Sequence, residues 1–478
     1  MFDNLIEKIH PKVQIFIRLH LTPSRTLILG YIFFILLGTL LLWMPISSRG
    51  DSTSLIDSSF TATSAICVTG LIVEDTAVHW SLFGKIVILL LIQIGGLGYM
   101  TIATFIIIAL GKKVDIYSRM VMREGIGQPS IAGLGRFAKK VIKITLLLEL
   151  IGAIILAFRM IPRFGIIKGI GHSIFHSVSG FCNAGFSTFS NNLAGFDDDP
   201  IVVSVVALLF IVGGLGFLVL IDLNKYIQWL LKALNILKTK IPRHTLTPHS
   251  KLVLWANFLL LLIPIILLSI FDNQVFSDFS WFHRIFNTFF QVATPRTAGF
   301  NTMDYNLLSN PSLVVIMVLM FCGAAPGGTG GGVKVTTVGV IFSSIVTTLR
   351  GKDKVILFNR RIELITINRA FSLVIITILW IVFVFSTIVL FSSSDMIVAG
   401  FSKIFFEIFS AFGTVGLSLN ASTKSNCSFS ADLNNIGKFM IIITMLIGRV
   451  GPLTFGSALI KRKPSKKIEY VKGFYPIG

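Results

Sequence analysis

The chain has 478 residues, 54% of them hydrophobic and only 13% charged, with a mean hydropathy of +0.83 and a formal net charge of +20. A composition this apolar excludes an ordinary soluble globular protein and indicates an integral membrane protein. The charge is not the signature of a nucleic-acid binder: Lys and Arg collect in 111–143, 225–251, 350–369 and 461–472, while 71–80, 191–201 and 271–281 contain none. That alternation follows the positive-inside rule, placing both termini and the basic loops in the cytoplasm against anionic lipid.

In chain order, Glu7, Lys8, Lys12, Arg18 and Arg25 precede an apolar run that has no small-residue cleavage site, so no cleaved signal is expected. Apolar runs follow at 26–44, 82–110, 201–221, 252–270, 371–391 and 436–448. Most are long enough to cross about 30 Å of hydrocarbon. Cys67, Cys182, Cys322 and Cys427 are each more than a hundred residues from the next, a spacing that suits free thiols rather than a zinc cluster or disulfide framework.

A short pattern occurs four times: SAICVTGL with Gly70, SGFCNAGF with Gly185, ATPRTAGF with Gly299 and SAFGTVGL with Gly416. The glycine intervals are 185 − 70 = 115, 299 − 185 = 114 and 416 − 299 = 117. A second marker follows each: GGLG at 95–98, GGLG at 213–216, GGTG at 327–330 and GRVG at 448–451. Two markers in step four times indicate four tandem units, each a membrane helix, a short amphipathic segment, a glycine-bearing loop and a second membrane helix. The short segments, 57–65, 172–179, 281–292 and 401–411, are too brief to span and fit half-crossing helices. Irregular backbone at membrane depth must be satisfied by protein or by a water-filled cavity, so the four loops are expected to meet around one aqueous axis near the external mouth.

Backbone carbonyls replace the hydration shell of a monovalent cation without fixing a full negative charge. Gly70, Gly185, Gly299 and Gly416 permit positive φ and leave the axis open. The preceding pairs Val68 and Thr69, Asn183 and Ala184, Thr297 and Ala298, and Thr414 and Val415 are compact enough for their carbonyls to face an ion. The half-helices would aim their partly negative C-terminal ends at the cavity below, favouring cations. Glu74, Asp75, Asp197 to Asp199 and Asp304 lie just beyond the loops and read equally as cation attractors or as solvated loop charge.

The four glycine loops, a broken glycine-rich helix in the third unit and Arg449 in the last helix together resemble the Trk/Ktr/HKT superfamily of potassium transporters, most closely its KtrB-type membrane subunits. The likeness runs over nearly the whole chain, without the additional N-terminal helix pair of TrkH-like members. In plant relatives, serine at the first filter glycine is associated with sodium selectivity. Gly70 at that position implies potassium selectivity.

The third unit departs from its siblings. Residues 311–350 are too many for one crossing, and eight glycines or alanines fall within the eleven positions from Gly323 to Val333. Each glycine costs a helix about 1 kcal/mol relative to alanine, so a break is expected. By resemblance, Gly323, Ala324, Ala325, Pro326, Gly327, Gly328, Thr329, Gly330, Gly331, Gly332 and Lys334 form an intramembrane gating loop beneath the filter. Tight helix packing of small residues is the plainer alternative. A phosphate-binding loop is excluded, because Val333 separates Gly332 from Lys334 and Val335 follows.

Arg449 interrupts the apolar run 439–450 and is a functional candidate by its position. The family places the matching arginine in the pore as an electrostatic barrier; pairing with helix-end carbonyls is the structural alternative. Arg296 could pin its pore helix. Glu149 and Glu407 read as buried hydrogen-bonding groups ahead of coupling-ion sites, His172, His176 and His283 as capping or packing residues, and Cys67 and Cys182 as compact filter-edge side chains.

The expected architecture is all-α and membrane-integral: eight crossings and four re-entrant pore helices with pseudo-fourfold symmetry about one pore. The boundaries are a cytoplasmic segment 1–25, units 26–112, 113–224, 225–350 and 351–460, and a cytoplasmic tail 461–478. No covalent chemistry and no bound cofactor is expected, with K+ as the transported ion. The alternatives are a sodium-selective or sodium-coupled transporter of the same fold, and a membrane enzyme built on the buried acids and histidines, which would leave the glycine pattern unexplained. The resemblance implies a homodimer in the plasma membrane, docked on a cytoplasmic ring of nucleotide-binding regulatory subunits.

Overall fold

The computed structural model describes residues 22–110, 114, 116–126, 133–234, 242–272, 281–392, 394–424 and 426–459. The expected tail 461–478, and all of the N-terminal segment up to residue 21, lie outside the described residues. The described chain is mostly helical and carries the exposed apolar helices of an integral membrane protein.

In chain order the helices are α1 (Pro23–Trp43), α2 (Leu55–Ile66), α3 (Leu82–Leu97), α4 (Tyr99–Ala109), α5 (Ile116–Ile126), α6 (Leu134–Phe164), α7 (Ile166–Phe181), α8 (Pro200–Gly214) and α9 (Phe217–Ala233). There follow α10 (Pro248–Phe271), α11 (Trp281–Ala293), α12 (Asn310–Phe321) and α13 (Val335–Leu349). A two-stranded antiparallel hairpin, β1 (Ile356–Leu357) with β2 (Arg360–Arg361), leads to α14 (Leu364–Phe391), α15 (Ser394–Gly413), α16 (Asn435–Val450) and α17 (Pro452–Leu459).

Helices α1, α6, α10 and α14 are long and apolar enough to cross a membrane, and a third or less of the most apolar stretch of each is buried in the protein. Side chains such as Leu36, Phe158, Leu379 and Leu390 are exposed, as lipid-facing residues must be. The starts of α1 and α10 are built for capping: Thr22 and Thr247 accept from the N–H groups of Arg25 and Ser250, each ahead of a proline at the first helical position.

The shorter helix α2 is different in kind, being buried from Phe60 to Ile66. Its start is fixed by Ser54, which accepts from the Asp57 N–H at 3.1 Å, and Asp57 meets Lys438 of α16 at 2.7 Å. Helices α7 and α15 are longer than the expected short segments 172–179 and 401–411, at 16 and 20 residues. Glycine permits the extension of α7: Gly165 turns the chain at φ +79°, and a Cβ on Gly169 would lie 2.7 Å from Ile161 Cα, so α7 folds directly back on α6.

The sequence reading expected only the third unit's second helix to break. Three further helices bend: α3 and α4 meet at 89°, α8 and α9 at 104°, and α16 and α17 at 102°. The turning residues are Gly98, Gly216 and Gly451, at φ +75°, +85° and +93°. These are the last glycines of GGLG, GGLG and GRVG, so the second marker is a bend signal written for a backbone conformation that L-residues avoid. An earlier glycine of each marker serves packing. A Cβ on Gly95, Gly213 or Gly448 would collide with the carbonyl of Ile66, Phe181 or Phe412, near the end of the neighbouring short helix.

Candidate functional site

The four loops that follow α2, α7, α11 and α15 meet at their glycines. A Cβ on Gly70 would stand 2.5 Å from the Ala184 carbonyl oxygen, and one on Gly185 2.9 Å from that of Ala298. On Gly299 and Gly416 it would press still harder on the carbonyls of Val415 and Thr69. Each glycine abuts the next loop and the fourth abuts the first, so the contacts close into a ring. Only a residue without a side chain fits at these positions.

Two residues before each glycine, the backbone is left-handed at a non-glycine residue: Val68 at φ +58°, Asn183 at +60°, Thr297 at +74° and Thr414 at +49°. Three of these are β-branched, for which such angles are outliers costing about 1–3 kcal/mol each. The strain is held by hydroxyl residues at the ends of the short helices, all fully buried, which sequence reasoning missed. Ser64 takes the N–H of Gly70 on its hydroxyl at 3.0 Å, and Ser410 does the same for Gly416 at 3.0 Å. Ser179 and Thr294 donate instead to the carbonyls of Phe186 and Phe300, at 2.8 and 2.6 Å. A Ser or Thr five or six residues ahead of each glycine was the available sequence signal.

The glycine-rich segment 323–334 separates α12 from α13 and lies against the loops. The Gly331 N–H donates to the Thr414 hydroxyl at 2.8 Å, the Thr329 hydroxyl to Asn183 Oδ1 at 2.9 Å, and Asn183 Nδ2 to the Thr297 hydroxyl at 3.1 Å. Its backbone also pairs with the bending helices: Ala325 N–H with Gly214 O at 3.0 Å, Phe217 N–H with Gly327 O at 3.0 Å, and Gly332 N–H with Gly448 O at 3.2 Å. Arg449 joins the remaining side, donating to the carbonyls of Thr329 and Gly95 and, at 3.4 Å, to the Tyr31 hydroxyl. The Lys334 ammonium donates to Gly330 O at 2.7 Å, closing the segment on itself. Arg449 thus pairs with main-chain carbonyls and bridges the segment to α3.

A cavity of about 240 Å³ is lined by all four ring glycines together with Asp75 and Asp304. A second, of about 190 Å³, is lined by Gly327, Gly328, Gly330, Lys334, Arg449 and Tyr31 among others. Two of the other acids, Glu74 and Asp199, behave differently from an open attractor. Glu74 pairs with Lys424, and Asp199 is buried, capping α8 and pairing with Arg159 at 2.9 Å and Arg163 at 3.4 Å. Burial pulls the Lys424 ammonium down, but the hydrogen bond and charge of Glu74 outweigh it and hold its pKa above the usual value.

Glu149 is buried on α6 and accepts from Gln93 at 3.2 Å, with the Cys182 thiol 3.8 Å away. Glu407 on α15 accepts from Ser418 and Ser430, and His172 and His176 bond Thr188 and Ser187. His283 lies on α11. Cys67 is buried beside the first ring loop. Arg296 is buried three residues before Gly299, with its Nε unpartnered.

Exposed apolar helices enclosing main-chain loops, with one cavity against the loops and another against the glycine-rich segment, suit a membrane transport protein. Residues 16–471 match the TrkH family, described as a cation transport protein, and the chain belongs to that family. Ktr system potassium uptake protein B of Bacillus subtilis (strain 168) is 38% identical over 455 residues, 95% of this chain and 96% of that one. Potassium/sodium uptake protein NtpJ of Enterococcus hirae is 36% identical over 459 residues, again 95% of this chain and 96% of its own. The crystal structure of the potassium transporter TrkH from Vibrio parahaemolyticus matches with a TM-score of 0.67 over 91% of this chain and 83% of that one, at 19% identity, a likeness of fold. Both of these relatives are uptake proteins, which supports transport rather than enzymatic chemistry.

Proposed function

We propose that the protein takes up potassium across the plasma membrane through a filter of backbone carbonyls. The filter is contributed by Val68 to Gly70, Asn183 to Gly185, Thr297 to Gly299 and Thr414 to Gly416. The observation that carries this reading is the closed cycle of contacts among the four glycines. A chain that reverses the sign of φ from residue to residue can turn successive carbonyls to one side, whereas a strand turns them alternately outward. Such oxygens replace water around an alkali cation. In this reading the four helix sets are pseudo-fourfold units making eight crossings, with α2, α7, α11 and α15 as the re-entrant pore helices. The membrane potential supplies about 2.3 kcal/mol per charge per 100 mV.

The segment 323–334 acts as the gate, held shut by Thr414, Asn183 and Arg449, since it occupies the space between the ring and the second cavity. Regulation by a cytoplasmic ring of nucleotide-binding subunits, a homodimeric assembly and cytoplasmic termini complete the proposal; the basic loops support the cytoplasmic termini, and the Ktr-system relatives support a partner subunit. The test is uptake of radioactive rubidium and sodium in cells lacking their own potassium systems, with single substitutions at the four glycines. Wild-type preference for rubidium, lost on substitution, is the expected result. A second reading, uptake or coupling of sodium, is favoured by the Enterococcus hirae relative, and the same measurement distinguishes it.

A further inference from the structure

We infer that Glu407, His176 and Gln291 are positioning residues: each buckles the outgoing strand of a filter loop to its own pore helix and so sets the spacing of the carbonyl ring. This rests on the filter reading above. The four hydroxyls Ser64, Ser179, Thr294 and Ser410 grip the loops at their entry. One helical turn earlier, three residues before each, stand Thr61, His176, Gln291 and Glu407. A separation of three keeps both side chains on one helix face, the face that looks at the loop.

Three of these positions reach a hydroxyl just beyond the ring glycine. His176 Nε2 lies 3.0 Å from the Ser187 hydroxyl, Gln291 Nε2 donates to Thr302 at 3.0 Å, and Glu407 Oε2 accepts from Ser418 at 2.6 Å. All three helix residues are buried to 1% exposure or less. His176 Nδ1 donates to the His172 carbonyl at 2.8 Å, which fixes the ring with Nε2 turned to the Ser187 hydroxyl. Three different chemistries therefore make one connection.

The first unit lacks it. Thr61 turns its hydroxyl back on its own helix, donating to the Asp57 carbonyl at 2.9 Å, and the residue two beyond Gly70 is Ile72, which has no polar side chain. Its strand is instead held from the fourth unit. Ile72 N–H donates to the Ser428 hydroxyl at 2.9 Å, and Ser428 N–H donates to Ile72 O at 2.9 Å. That same turn is fixed by Glu407, whose Oε1 accepts from the Ser430 N–H at 2.9 Å and from its hydroxyl. One carboxylate thus anchors the outgoing strands of two neighbouring loops. A group with two oxygens, each accepting independently, is suited to that double duty where His or Gln is not.

The test compares rubidium and sodium uptake, with KM and maximal rate, for Glu407→Leu, Gln291→Leu, His176→Leu and the conservative Glu407→Gln, at matched membrane abundance. Expected are a higher KM for rubidium and a fall of about tenfold in the rubidium-to-sodium ratio, the factor carried by 1.4 kcal/mol. The effect should be largest for Glu407→Leu and only partly rescued by Glu407→Gln, whose single acceptor oxygen keeps one of the two anchors, and the control Thr61→Val should keep the wild-type ratio. Leucine variants with wild-type KM and ratio would overturn the proposal. Should they fail to accumulate, Ser418→Ala and Ser187→Ala cut the same connections from the strand side, and an unchanged ratio in both would overturn it equally. A wild-type chain that does not distinguish rubidium from sodium sinks the filter reading itself, a result visible before any variant is made.

Discussion

Thr414, two residues before the last ring glycine, accepts a hydrogen bond of 2.8 Å from the backbone N–H of Gly331 in the glycine-rich segment. A residue held in left-handed backbone at φ +49° therefore also fastens the segment that lies against the ring loops. Thr414→Val keeps the β-branched shape and strands that N–H, a loss of about 1–3 kcal/mol for a buried donor. Rubidium uptake is expected to rise several-fold at equal membrane abundance. Uptake equal to wild type would remove Thr414 from the proposed gate.

Gly70→Ser adds a side chain at φ +93° with its Cβ against the Ala184 carbonyl. The ring must widen or tilt locally, so discrimination between potassium and sodium is expected to weaken by about tenfold, equivalent to 1.4 kcal/mol. Paired rubidium and sodium uptake measures it, and an unchanged ratio speaks against Gly70 as part of the filter.

Gly213→Ala tests the packing of the bent helices. The added methyl would meet the Phe181 carbonyl and stand 2.8 Å from Asn183 Oδ1, neither of which is free to withdraw. Overpacking of this kind costs about 1–3 kcal/mol. A lower melting temperature in detergent is expected, together with a looser gate, because Asn183 holds Thr329. A variant that melts with the wild type would show that α8 can shift freely.

The loop between α15 and α16 carries an acid-sensitive clasp. Burial pushes the Asp432 carboxyl up, but the backbone N–H groups of Ser422 and Thr423 and the hydroxyl of Thr423 outweigh it and leave its pKa below the usual value. A folded-state pKa that is depressed contributes stability above the ordinary aspartate value of about 3.9, and this is lost as pH falls through the folded value. Amide exchange of the 421–424 stretch is expected to accelerate only below about pH 4. Asp432→Asn should abolish that step; a step retained in the variant assigns it to another group.

The sequence carried the rhythm of the architecture because glycine is irreplaceable where backbones touch, and both glycine markers are positions of contact or of positive φ. It concealed what the markers did: GGLG looks the same whether its last glycine bends a helix or merely packs it, so the turns at Gly98, Gly216 and Gly451 were not foreseen. The left-handed angles at Val68, Thr297 and Thr414 were illegible in principle, since valine and threonine are poor choices for that conformation and nothing local announces it. Ser64, Ser179, Thr294 and Ser410 were visible but unremarkable, hydroxyls in a chain rich in them. Arg449 was recognised as an intramembrane charge, but its partners at Thr329 and Gly95 come from sequence distances of 120 and 354 residues that no pattern connects.

The segment 323–334 touches the Gly213–Gly214 turn, Thr414, Gly448 and, through Arg449, the Gly95 turn, so it fills a space that its neighbours enclose from several sides. If the four helix sets are units about one axis and the segment closes it, as proposed, four identical chains would each present such an insert, and only one could be accommodated. Fusion into a single polypeptide removes that conflict: one quarter of the molecule is at liberty to supply an obstruction while the others diverge to receive it. The asymmetry of the closure is then a property available to a tandem array and denied to a homotetramer.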